Sequence, residues 1–141
     1  MPVDALASVP LLSSLSRKEL ESLAKGTTQR DYAPGDSVMR QGDTGVGLAI
    51  ITSGKVRVVQ TKDGQDRELG TFGPGSVLGE LSLLDDLPRT ASVIATEVSH
   101  AVLIPVWDFR AALKEHPEIS IKLLAVLSQR LRKQEQGGAH E

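Results

Sequence analysis

A glycine followed by an acid, with an arginine nine residues beyond the acid, can bind a sugar phosphate. The chain has this arrangement in Gly79, Glu80 and Arg89. Gly79 lets the main chain come close to a ligand, and Glu80 to Leu84 can form one helical turn whose unpaired N–H groups point at a phosphate. Arg89 offers a planar fork of donors matched to phosphate oxygens. An ionised Glu80 only accepts hydrogen bonds, so it suits a hydroxyl such as a ribose 2′-OH rather than the phosphate itself. Alone, Arg89 would read as a solvated surface residue and Glu80 as an acid stabilising a helix start. Their spacing on one short segment is what makes them a candidate site.

The elements around this segment follow from pattern. The 141 residues suit one domain, read here as residues 1–136 followed by a flexible tail, 137–141. Eleven of the 13 glycines fall between Gly26 and Gly79, which divides the chain into helix, sheet and helix. At the start, Asp4 to Ser13 reads as a short helix interrupted by Pro10. Ser16 and Glu19 form a capping box ahead of Leu20 and Leu23, and Gly26 stops that helix. Turn signals then recur about every ten residues, at Pro34-Gly35-Asp36, Gln41-Gly42-Asp43, Ser53-Gly54, Asp63-Gly64 and Pro74-Gly75, the rhythm of an antiparallel barrel or sandwich. Candidate strands lie at Val38, Leu48–Ile51, Val56–Val59, Arg67–Gly70, Ala91–Ala95 and Ala101–Ile104. Lys62-Asp63-Gly64-Gln65 predicts a hairpin turn. After Pro105 and again after Pro117 the period becomes 3.6, giving two helices. In the second, Ile119, Leu123, Val126 and Leu127 form an apolar stripe suited to a homodimer contact, and Arg130, Arg132 and Lys133 read as a solvated basic face.

Gly79-Glu80-Leu81-Ser82-Leu83-Leu84 followed by Pro88-Arg89-Thr90-Ala91-Ser92-Val93 resembles the phosphate-binding cassette of the cyclic-nucleotide-binding domain family. The resemblance extends over Leu6 to Gln134 and includes Pro34-Gly35-Asp36 and Ile51-Thr52-Ser53-Gly54-Lys55-Val56. It implies a mostly β fold with flanking helices: an eight-stranded antiparallel jelly-roll barrel, N-terminal helices and two C-terminal helices. It also implies that Glu80 binds the ribose 2′-OH, that Arg89 binds the cyclic phosphate, and that main-chain N–H groups near Leu81, Ser82 and Ala91 complete the cradle beside the Thr90 hydroxyl. Val58 and Leu69 correspond to positions that face the purine, and Gln134 and Leu131 lie where the last helix covers the base. Leu78 stands where many members have Phe.

The function implied is a non-catalytic receptor for a 3′,5′-cyclic nucleotide, cAMP ahead of cGMP, with no cofactor. In it, movement of Trp107 to Glu135 signals to a protein effector not identifiable from the sequence. Two alternatives share the fold: an interaction module that has lost its ligand, and a regulatory fragment of a larger transcription factor, channel or enzyme. A metal-dependent jelly-roll enzyme would need clustered ligands, and His100, His116 and His140 are far apart. The chain has no Cys, which excludes disulfides and thiolate sites. A formal charge of -2 lacks the basic surplus of a nucleic-acid binder, so no direct nucleic-acid contact is expected. No apolar run approaches the roughly 20 residues that span a bilayer. Met1 to Pro10 lacks the basic start of a signal peptide. The expectation is therefore cytoplasmic, with no membrane contact.

Overall fold

The computed structural model describes residues 2–43, 47–79 and 89–138. Helix α1 (Pro2–Ala7), a 3-10 turn (Pro10–Leu12) and α2 (Arg17–Ala24) precede eight strands: β1 (Thr28–Tyr32), β2 (Ser37–Met39), β3 (Gly47–Ser53), β4 (Val56–Lys62), β5 (Gln65–Phe72), β6 (Val77–Leu78), β7 (Ser92–Ala95) and β8 (Ser99–Pro105). Helices α3 (Val106–Glu115) and α4 (Pro117–Gly138) complete the chain. The strands form two four-stranded antiparallel sheets, ordered β1-β8-β3-β6 and β2-β7-β4-β5. This corrects the expectation of a closed barrel. Closure would need ladders between the sheet edges, and β6 and β2, at two and three residues, are too short to carry them.

Leu48–Ile51 and Ala101–Ile104 are unbroken apolar runs, and the structure gives the reason. Their sheet is covered on both faces. Leu48, Ile50, Val102 and Ile104 pack with Leu6, Leu20, Phe109 and Ile119 of the helices. The alternate residues Ile51 and Ala101 meet Val56, Val93 and Ala95 of the other sheet. Each fully buried aliphatic side chain contributes about 1.5–3 kcal/mol, so the central strands β3 and β8 are anchored from two directions. The edge strand β1 was not predicted, because all its residues but Tyr32 are exposed and no apolar alternation marks it. The two-residue β6 is shorter than any periodicity can register.

The predicted hairpin is present. Lys62 pairs with Gln65, and Asp63 and Gly64 take φ of 55° and 77°, the double positive φ of a type I′ turn. The capping box is also present, with Glu19 N donating to Ser16 Oγ at 3.2 Å and Ser16 N to Glu19 Oε1 at 2.8 Å. The second oxygen of Glu19 lies 2.6 Å from His116 Nε2, which ties α2 to the junction between α3 and α4.

Two readings of the ends of the chain need correction. The first helix stops at Ala7, and Pro10 opens a separate 3-10 turn, because a proline ring suits a first helical position better than an interior one. The apolar stripe of α4 faces inward: Ile119 and Leu123 are buried in the core and Leu127 packs against it. Its outward face instead carries Ile121 and Leu124, 70% and 61% exposed, together with Leu131. Among the described residues no helix is long and apolar enough to cross a membrane.

Hydrogen bonds from the Ser16 main chain and side chain, with a smaller effect of His116, hold the Glu19 carboxyl below its ordinary 4.5. A carboxyl lowered by folding contributes stability that is present above its unfolded pKa and lost as pH falls through the folded value. Urea midpoints of Glu19→Gln should therefore fall less than those of the parent as pH drops below 4.5; parallel pH profiles would disprove the assignment.

Candidate functional site

The site begins with strand register. β3 and β6 pair Ala49 with Leu78 and Ile50 with Val77, and the preceding turn is fixed by Ile51, whose N–H donates to Ser76 O at 3.0 Å and whose carbonyl accepts from Gly75 N at 2.7 Å. Gly79, the next residue, therefore emerges beside Gly47 at the start of β3. Its φ of +88° lies in the region that only glycine enters without strain.

The side chain of Arg89 reaches this point. Its Nη2 donates to Gly47 O at 2.6 Å and its Nη1 to Gly79 O at 3.3 Å. The structure thus unites the predicted glycine and arginine. A Cβ on Gly79 would lie 2.6 Å from Arg89 Nη1, 2.8 Å from Met39 Cε and 3.1 Å from Gly47 O. The room that the sequence reserved for a ligand is here occupied by the guanidinium.

The main chain of Arg89 is fixed as well. Gly42 N donates to Arg89 O at 2.9 Å, and Arg89 N donates to Asp43 O at 2.8 Å. Gln41 N donates to Ser92 Oγ at 2.9 Å, and Gln60 Nε2 to Thr90 O at 3.1 Å. Sequence reading took Gln41-Gly42-Asp43 only as a turn and missed Gln60, Met39 and Gly47 altogether. The hydrogen bonds among these contacts are made to or through main-chain atoms, which leave no mark in the sequence.

The other candidates are distributed unevenly. Leu78 is buried between the sheets and Val58 packs half-buried against the same cluster. Val58 pairs with Gly70 and Val59 with Glu68, so Leu69 is the extra residue of a β-bulge, 41% exposed. Thr90 is exposed and Ala91 half-buried, directly before β7. Glu80, Leu81 and Ser82 lie outside the described residues. Gln134 falls on α4, with its side chain outside them.

Arg130 departs from the predicted solvated run. Its Nη2 donates to Val77 O at 3.0 Å, and its guanidinium carbon sits 5.6 Å from the centre of the Phe72 ring, within cation–π range. It closes a largely apolar groove lined by Val9, Leu11, Val77, Leu123 and Val126. Arg132 and Lys133 are exposed, as expected. No three His, Asp or Glu side chains among the described residues could hold a metal.

A family model for the cyclic nucleotide-binding domain matches residues 29–116. The chain is 36% identical over 124 residues to the cyclic AMP receptor protein of Thermus thermophilus, covering 87% of this chain and 57% of that protein. It is 37% identical over 93 residues to the type II regulatory subunit of cAMP-dependent protein kinase from Drosophila melanogaster, covering 66% of this chain and 25% of that subunit. The crystal structure of the Thermus thermophilus catabolite activator protein superposes with a TM-score of 0.80 at 35% identity, over 91% of this chain and 61% of that one. The chain therefore spans a little over half the length of the first of these relatives and a quarter of the second.

A side chain at Gly79 would be opposed twice, by its φ and by Arg89. Gly79→Ala should destabilise the domain by at least the about 1–2 kcal/mol that a left-handed conformation costs an ordinary residue, measured by urea unfolding. Shortening Met39 in the same background should not restore the loss, and unchanged stability of Gly79→Ala would refute the packing described.

Proposed function

The chain belongs to the cyclic nucleotide-binding domain family, and on that premise we propose that it is a non-catalytic receptor for a 3′,5′-cyclic nucleotide, with cAMP preferred to cGMP. The observation that carries the proposal is the Arg89 guanidinium, held against the carbonyls of Gly47 and Gly79 at the mouth of the cassette. The two carbonyls accept from different nitrogens of the planar guanidinium, which fixes the orientation of the group. Arg89 takes the cyclic phosphate, aided by N–H groups of Leu81, Ser82 and Ala91. Glu80 takes the ribose 2′-OH. Val58 and Leu69 supply apolar contact to the purine, Leu78 supports the cassette from the core, and Gln134 reaches over the base from α4.

The output runs through α4. Arg130 ties that helix to Val77, two residues before Gly79, so a shift of the cassette on binding is transmitted to the distal half of α4 and from there to a protein effector. A second copy packs on the outward face of the helix. Ile121, Leu124 and Leu131 stand three and seven residues apart, the spacing of a coiled-coil seam.

Calorimetry with cAMP and cGMP tests the receptor reading. Arg89→Ala should weaken cAMP by about thirty-fold to several thousand-fold, the cost of breaking a charge-assisted pair from one side. Arg89→Lys should rescue poorly, since a point charge cannot span two oxygens. A folded Arg89→Ala that binds like the parent rejects the proposal. One neutral hydrogen bond from Thr90 to the guanine amino group contributes about 0.5–1.5 kcal/mol. cAMP should therefore lead by roughly tenfold, and Thr90→Ala should weaken cGMP more than cAMP; tighter binding of cGMP by the parent would reverse the assignment. For the dimer, sedimentation of Leu124→Glu should show a monomer where the parent is dimeric, and a monomeric parent would discard that contact.

A further inference from the structure

Two glutamine side chains distant in sequence from the cassette hold its last residues in place. Gln41, in the turn after β2, lays its carboxamide along β4. Its Nε2 donates to Thr61 O and its Oε1 accepts from Thr61 N, both at 2.8 Å. A carboxamide presents the same donor and acceptor as a peptide unit. Gln41 therefore continues the sheet at the edge of β4 that β7 leaves unpaired, since β7 begins at Ser92, opposite Val59. Gln60, one residue beyond Val59, reaches across the same gap and donates to Thr90 O at 3.1 Å.

The consequence lies in the next peptide unit. Peptide bonds are planar, and none here is cis, so the Thr90 carbonyl and the Ala91 N–H point in opposite directions. With the carbonyl turned to Gln60, the Ala91 N–H is turned away from it. The residue before Thr90 is fixed as well, since both main-chain groups of Arg89 are bonded to Gly42 and Asp43.

We propose that Gln60 is a positioning residue of the anion site: by holding the Thr90 carbonyl it aims the Ala91 N–H at the phosphate, while Gln41 keeps Thr61, and with it Gln60, in register. The inference rests on the cyclic-nucleotide reading above and adds to it two residues outside the cassette. Neither touches the ligand. Their effect is confined to the direction of one main-chain donor.

Gln60→Met keeps the length of the side chain and removes its donor. A hydrogen bond to a charged group accounts for about ten- to a hundredfold in affinity when lost outright, so misdirecting the Ala91 donor should weaken cAMP by about tenfold. The decisive readout is spectroscopic. In 1H–15N spectra the displacement of the Ala91 amide on adding cAMP should shrink in the variant, with the unfolding midpoint unchanged. Gln41→Met should give a smaller effect in the same direction. Gln60→Val, which suits a strand, provides the same measurements should the Met variant be unstable. If Gln60 variants bind cAMP as the parent does, or if the Ala91 displacement is unaltered, the proposal is overturned, and loss of binding in Arg89→Ala would leave the receptor reading standing. A parent that binds no cyclic nucleotide overturns both.

Discussion

Burial of β3 on both faces is the constraint from which the site follows. Leu48 and Ile50 are fixed by the helices and Ile51 by the second sheet, so the strand can neither slide nor rotate without exposing one set of side chains. A one-residue slip would exchange the two faces. Everything bonded to β3 inherits that rigidity. Its partner β6 is only two residues long and would have no register of its own, yet the pairing of Ala49 with Leu78 sets where Gly79 emerges. The same strand presents Gly47 O, the closer of the two carbonyls that hold Arg89.

Arg89 joins the two sheets. Its guanidinium is bonded to Gly47 and Gly79, which belong to or follow strands of the first sheet. Its main chain is bonded to Gly42 and Asp43, which follow β2 of the second. The charge is thus positioned by main-chain atoms at both ends of the residue. Main-chain positions are set by strand pairing, and they respond less to local side-chain substitution than a side-chain partner would. This suits an anion site, where a misplacement of about 1 Å weakens a charged hydrogen bond appreciably.

What could be read in the sequence was what side-chain type and local spacing encode. The turn at Asp63-Gly64, the capping box of Ser16 and Glu19, and Gly79 with Arg89 each rest on residues whose chemistry has few substitutes. The expected closed barrel is absent among the described residues because closure depends on the lengths of edge strands, and periodicity does not measure strands as short as β2 and β6. Gln41 and Gln60 were hidden for a different reason. Their partners are the main-chain atoms of Thr61 and Thr90, which any residue would supply, so no pattern of residue types points to them. On α4 the periodicity identified apolar positions but not the direction of the core. Ile119 and Leu123 form one stripe and Ile121 and Leu124 another, and only the docked helix shows that the first is inside.

Helix α4 is anchored in two different ways along its length. Near its start, Ile119 and Leu123 are fully or almost fully buried, and exposing either would cost about 1.5–3 kcal/mol. Farther along, at about 1.5 Å per residue, Arg130 donates to Val77 O and approaches the Phe72 ring. A neutral-acceptor hydrogen bond and a partly exposed cation–π contact are each worth about 0.5–1.5 kcal/mol or less. The two contacts differ in kind, one a burial of apolar surface in the core and the other a polar tie to the edge of a sheet. That anchor is made to Val77, the residue whose pairing with Ile50 begins β6 and leads into Gly79. The polar contact of α4 is thus made two residues before the glycine that Arg89 packs against, through a single carbonyl.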